Sequence, residues 1–344
     1  LAGLALHRIT VTEAVPGERE AGRTVLNKRN PGAMRDDEHV IGLIAAPTNL
    51  GLRPPERSAV PGTAKAPEAL REAGLHHRLI AAGATDCGVV LPGRYRDDWV
   101  AGAGRLRNQD AIVDHSLRLA ERLTAVLDEG IAPLVLGGDC SLLIGTGLAL
   151  RRRGRYALVH IDGHTDFRHP GTSTRCASLA GEDLAAAVGL HWPAISDIDG
   201  LGPYFRPEHA IHVGCRPDDD ALVETRGLLR AVVTAPQIAE DGAELVSATL
   251  AELMMTERLD GYWLHLDVDV LDPSIMPAVD SPDPGGLTAA RLIELLTALA
   301  PGAAGAEVTV FDPDLDPTGE HAALLATLLA DGLAELGIGI AFGG

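Results

Sequence analysis

From residue 39 onward the chain alternates short aliphatic or β-branched runs with longer amphipathic stretches, and nothing else in it constrains the fold so strongly. Strand-like runs fall at 39–46, 86–91, 133–136, 156–161, 210–214, 231–234, 262–268 and 307–311. Helix-like stretches fall between or after them, at 66–82, 110–129, 142–152, 179–188, 220–229, 243–256, 288–299 and 319–336. Such alternation means a mostly parallel sheet covered by helices. No fixed-period repeat or long linker interrupts it, so residues 39–344 are expected to form a single domain. Eight strand–helix units also fit a closed barrel, and periodicity does not separate the two. Both architectures place ligands at the carboxyl ends of the strands.

Two acidic clusters stand at those ends. His160-Ile161-Asp162-Gly163-His164-Thr165-Asp166 follows the run at 156–159, and His265-Leu266-Asp267-Val268-Asp269 follows the run at 261–264. Asp-x-His-x-Asp and Asp-x-Asp set their side chains at alternate positions, which share one face of an extended chain. Carboxylates crowded in this way repel one another unless cations sit between them. A third segment, Gly137-Gly138-Asp139-Cys140-Ser141, also follows a strand-like run. Three strand ends therefore converge on one acidic, metal-seeking site. His160 and His265 alternate away from it and read as core or supporting groups. Asp139 reads as the residue that fixes its turn, and Asp272 as the head of an Asp-Pro turn.

The formal charge of −19 argues against nucleic acid and anionic membrane surfaces as partners. No apolar run approaches the ~18 residues of a membrane span. Four widely spaced cysteines without a Cys-x-x-Cys pair read as a reduced, cytoplasmic protein. Residues 17–38 are polar and aperiodic, so 1–38 is expected to be an extension without fixed structure, with Met34 a candidate start.

At these clusters the chain resembles the ureohydrolase family of arginases, agmatinases, formiminoglutamases and their relatives. The family's signatures are a Gly-Gly-Asp-His-Ser turn, an Asp-x-His-x-Asp segment and an Asp-x-Asp-x-x-Asp-Pro segment. The second and third stand intact, and Pro282-Asp283-Pro284-Gly285-Gly286-Leu287 and Phe311-Asp312-Pro313 add support. The resemblance spans from about Ile41 to the C-terminus. It implies a three-layer α/β/α sandwich around an eight-stranded, mostly parallel sheet, and two manganese ions per chain. Asp162 and Asp267 would bridge the metals. His164 and Asp269 would complete one position, and Asp166 with residue 140 the other. It also implies a small-molecule substrate and a homo-oligomer, trimer or hexamer.

Three departures limit the transfer. Cys140 occupies the family's metal-binding histidine position, and a thiolate favours zinc or another softer divalent metal over manganese. A thiol beginning a helix beside metals is expected to have a lowered pKa. Ala180 falls where arginases carry a histidine thought to shuttle protons, leaving Glu182, Asp183 or His169 as replacements. Val310 falls where classical members carry the acid that grips the guanidinium group. Glu307 would point to the other face of an unbroken strand, with Asp312 and Thr309 as alternatives. Arg216, after the run at 210–214, is a candidate for holding a substrate carboxylate.

The reading that follows is a dinuclear metal-dependent hydrolase of a non-peptide C–N bond in a linear amidine, with Asp166 as proton donor to the leaving amine. A mononuclear zinc amide hydrolase of the deacetylase kind, using Asp162, His164 and Asp267, stands as the alternative. So does a metal-binding homologue that has lost catalysis. Segments 92–109 and 191–207 are the expected substrate-facing loops.

Overall fold

The strand-like runs become eight strands in the computed structural model, which describes residues 40–340. The segment 1–38 and Met34 lie outside the described residues. The strands are β1 (Ile41–Ala46), β2 (Thr85–Val89), β3 (Ala132–Gly137), β4 (Tyr156–Ile161), β5 (Ala210–Val213), β6 (Ala231–Val233), β7 (Gly261–Asp267) and β8 (Gly305–Thr309). All pair in parallel in one sheet, in the order β2-β1-β3-β8-β7-β4-β5-β6. The sheet is open, so the architecture is the sandwich and not the barrel.

Alternation along the strands builds the two faces. Leu134, Leu136, Val159 and Ile161 join one buried cluster, while Val135, Leu158 and Trp263 join the other. Burial on both faces is what a parallel sheet between helical layers requires. The last two strands enter the middle of the sheet, between β3 and β4. That insertion sets the carboxyl ends of β3, β8, β7 and β4 side by side, at the switch point where such folds bind ligands.

Several helical expectations change, among them the stretch 179–188, which is a 3-10 turn (Leu179–Gly181) followed by the short helix Asp183–Ala187. The stretch 66–82 is two helices, Ala66–Glu72 and Leu75–Ala81, because Gly74 takes a left-handed φ of 89° and breaks the chain direction. The helix Ala235–Asp241 lies outside every expected stretch, although Thr234 and Gln237 form a reciprocal capping box at its start. Among the described residues no helix is long and apolar enough to cross a membrane.

Candidate metal centre

Each ligand-bearing strand end is shaped by its own backbone contacts. After β3, Gly138 passes so close to the loop following β1 that a Cβ would lie 1.7 Å from the Thr48 carbonyl oxygen, so only glycine fits. Asp139 then ties the turn: its Oδ1 accepts from the amides of Gly51 (3.1 Å) and Ser141 (2.9 Å), and its Oδ2 from the Thr48 hydroxyl (3.2 Å). This delivers Cys140, fully buried, to the centre. After β4, the His164 amide donates to Asp162 Oδ1 (2.6 Å) and the Gly163 amide to Asp269 Oδ1 (2.9 Å). After β7, the Asp269 amide donates to Asp267 Oδ1 (2.8 Å). The carboxylates are thus oriented by peptide N–H groups, and each keeps an oxygen for the interior.

The inward-facing atoms of these residues form two sets that share Asp162. In one, atoms of Cys140, Asp162 and Asp267 all lie within 4.8 Å of one another; in the other, atoms of Asp162, His164 and Asp269 do. Asp162 Oδ2, at the hub, is buried without a hydrogen-bond partner. An unpartnered buried carboxylate oxygen is costly unless a cation compensates it. Two divalent cations flanking Asp162 fit this donor set. Asp166, held at a left-handed φ of 45°, feels the charges of Asp183 and Asp269 and is hydrogen-bonded to Asp183.

The electrostatics record the same crowding. Burial first, and the neighbouring carboxylates second, hold Asp162 and Asp166 well above the usual carboxylate range. Burial does the same to Asp267 and Asp183. Burial would lower His164, but its bond to Asp269 (Nδ1 to Oδ2, 2.9 Å), with the charges around it, raises it to about 10. Its other nitrogen, Nε2, faces Asp283 Oδ2 at 3.0 Å. A carboxylate on the far nitrogen of a metal-binding histidine fixes the ring and raises its basicity. The thiol of Cys140 is pushed well above its ordinary value by burial and by Asp267, to which it donates at 2.9 Å. The lowered pKa expected of a helix start is therefore reversed in the metal-free chain. Ser141 stands at the start of the helix Leu142–Arg153 without a side-chain cap bond, and the thiol before it looks onto Asp267.

The remaining sequence candidates are placed as follows. Glu307 is fully buried beneath the centre, bonded to Thr146 Oγ1 (2.6 Å) and His265 Nδ1 (2.8 Å). It ends a row across the sheet, His212–His160–His265–Glu307, in which the rings of His160 and His265 stack at 4.7 Å. Asp312 spends its oxygens on the amides of Gly62 (3.0 Å) and Asp314 (2.9 Å). Thr309 donates to the Leu266 carbonyl at 3.2 Å. Arg216, buried, donates to the carbonyls of Asp269 (3.1 Å), Leu271 (3.4 Å) and Asp283, pinning the loop after β7. Glu182 is fully buried; its Oε1 accepts from the Ala177 amide (2.9 Å) and its Oε2 pairs with His191 (2.9 Å). His169 pairs with Glu224 at 3.0 Å.

Sequence reasoning named Asp183 only as a substitute shuttle. The structure brings it under Asp166, between His160 (3.4 Å) and His265 (3.8 Å). Asp283 was noted only as part of the Pro-Asp-Pro-Gly-Gly segment, and Asp280, two residues before that segment, was not singled out. Desolvation and the charge of Asp269 raise the Asp280 carboxyl to about 6, although the residue as a whole is exposed at the rim. Segment 92–109 packs against the turn at 176–178, with Trp99 Nε1 donating to the Cys176 carbonyl (3.1 Å) and the Arg107 amide to that of Ala177 (2.9 Å). The end of segment 191–207 instead lines a cavity of about 470 Å³ with Arg151, Arg155 and Tyr156, at the amino end of β4 and away from the acids.

Comparison with known proteins gives a consistent picture. A sequence profile described as "Arginase family" matches residues 40–334. The arginase of Bacillus caldovelox is 32% identical over 305 residues, covering 86% of this chain and 98% of its own. That of Bacillus subtilis (strain 168) is 29% identical over 259 residues, covering 73% and 82%. The solved Bacillus caldovelox arginase superposes with a TM-score of 0.75 at 30% identity, over 87% of this chain and 98% of that one. Proclavaminate amidino hydrolase from Streptomyces clavuligerus shares the fold at a TM-score of 0.62 and 23% identity, over 88% and 92%.

Proposed function

The chain belongs to the arginase family, and from that premise we propose that it is a dinuclear metal-dependent hydrolase of a C–N bond in a small linear guanidine or amidine. One observation carries the reading: two donor sets share Asp162, whose inner oxygen accepts no hydrogen bond and has only the His160 ring nearby, at 3.8 Å. A single cation would need only one of those sets, which favours the dinuclear reading over the mononuclear amide hydrolase.

Cys140, Asp162, Asp166 and Asp267 would hold one cation, and Asp162, His164, Asp267 and Asp269 the other. Bound there, divalent ions supply hydroxide near neutral pH and polarise the atom it attacks. The protein does the rest. The peptide N–H groups of Gly163, His164 and Asp269 keep the carboxylates aimed. Asp283 steadies the His164 ring. Asp166, the proton donor that the family resemblance implies, would take up a proton beside the first cation and pass it to the departing amine. Glu182 is committed to the 177–182 turn through its amide and His191 bonds, so proton delivery is assigned to Asp166. The thiol at residue 140 opens the first position to zinc or another softer metal besides manganese.

Purified protein assayed with a panel of linear guanidines and amidines should release urea or the corresponding amide together with amine. Asp162→Asn should abolish that turnover with the fold retained. Release of acetate from acetylated amines, without hydrolysis of any guanidine, would transfer the assignment to the amide hydrolase.

A further inference from the structure

The position that holds the guanidinium-gripping acid in the classical members is Val310, buried at a left-handed φ of 71° with its amide bonded to the Gly138 carbonyl (2.7 Å). Neither of the two acids suggested from the sequence, Glu307 and Asp312, replaces it. Glu307 is bonded to Thr146 and His265 on the far face, and both oxygens of Asp312 accept peptide amides. A cationic substrate headgroup would therefore lack a counter-ion on that side of the centre.

The loop after β7 crosses this gap. It is pinned at one end where the Ala278 carbonyl accepts from the Asp312 amide (2.8 Å), two residues from Val310. It is pinned again where Asp283 Oδ2 meets His164 Nε2 (3.0 Å). Only Val279, Asp280, Ser281 and Pro282 lie between these pins, so they span from the Val310 side to the metal-binding histidine. Val279 is buried and Pro282 carries no charge, while Ser281 is a weak partner for a cation. Asp280 is exposed at the rim, and its carboxyl has a single contact, the Ser281 hydroxyl at 3.3 Å. Among the described residues it forms no ion pair. The charges of both Asp269 and His164 act on it, which places it within electrostatic reach of the centre.

We propose that Asp280 is the specificity residue that receives the cationic headgroup of the substrate, replacing from the loop after β7 the acid missing at Val310. The inference rests on the hydrolase reading for its site and narrows the substrate class: a protonated guanidine or amidine, not a neutral ureide. A carboxylate at the rim can pair with such a group in two parallel N–H···O bonds, which a neutral amide of the same shape does not reproduce with equal strength.

The test compares methylguanidinium with its neutral analogue methylurea, by titration calorimetry on the full-length holoprotein as purified, in wild type and Asp280→Asn. Asp280 is exposed, so the variant is expected to fold, and circular dichroism with metal content checks that it does. The expected result is preference for methylguanidinium in the wild type and a loss on the order of tenfold in Asp280→Asn, as for one charge-assisted pair. Methylurea binding and metal content should stay unchanged, and Asp280→Glu should recover part of the loss. Equal methylguanidinium affinity in wild type and variant, or none in the wild type, overturns the proposal. The hydrolase reading is judged separately, by turnover of the guanidine panel. Cation binding that depends on Asp280 without turnover would sink that reading and leave this one standing.

Discussion

Cys140 shows how far a residue's chemistry depends on what surrounds it. A helix start and nearby metals suggest an acidic thiol. In the metal-free chain the same thiol is buried, donates to Asp267 and is held protonated. Binding a cation would have to remove that proton, so the position titrates with metal loading. Restoring an imidazole with Cys140→His should shift selectivity from zinc toward manganese, on the order of tenfold; competitive loading followed by elemental analysis reads this directly. Unchanged selectivity would mean the side chain at 140 does not touch the metal. Spacing picked out the four carboxylates and His164 as one cluster, but not on an extended face: Asp166 takes a left-handed φ and Asp269 lies in the 3-10 turn Val268–Val270. The partners of Glu307, Asp312 and Arg216 could not be read from spacing. Each is set by a residue distant in sequence, Thr146, Gly62 and the carbonyl of Asp269, and no local pattern announces such pairs.

At the scale of elements, every strand was legible to within two residues at most ends, since burial on both faces leaves near-continuous aliphatic runs. Their order was not. Nothing local tells that β7 and β8 enter between β3 and β4, yet that insertion is what gathers four strand ends into one centre. The family resemblance implied the open sandwich where periodicity alone left the barrel open, but it gave no strand order. The helix at 235–241 was missed despite a sequence signal, Thr234 with Gln237 three residues later, because it follows a three-residue strand and spans only two turns. Pro282–Leu287 was read as a family marker, but the loop from Ala278 to Asp283 that leads into it was not singled out. Its physical role, a strap tied to β8 at one end and to His164 at the other, depends on two contacts visible only in three dimensions.

For the whole molecule, the centre makes stability depend on pH and on metal together. Asp162, Asp166, Asp183 and Asp267 have folded pKa values above their unfolded ones. Their contribution is complete below the ordinary carboxylate range and is lost as pH rises through their raised values. His164, raised to about 10, acts in the same direction: its contribution is present below the unfolded imidazole value and lost as pH climbs through about 10. Asp269 is lowered, because its bond to His164 outweighs burial; it acts in the opposite sense, but only in acid. Buried His160 and His212 are lowered and act in the opposite sense up to about pH 7. Chelated protein should therefore lose Tm between about pH 7 and about pH 10, and added divalent metal should restore more at the upper end than the lower. Scanning fluorimetry with and without chelator checks both signs; a chelated Tm that rises over that range would contradict the electrostatics described for the centre.

The central claim is that the two donor sets sharing Asp162 hold a pair of cations. Elemental mass spectrometry on anaerobically purified wild type and Asp162→Asn tests it most directly. About two divalent ions per folded wild-type chain, as a dinuclear centre requires, and loss of both in the variant is the expected result. A single ion per chain that survives the substitution would contradict the account and leave Asp162 without the role its unpartnered oxygen implies.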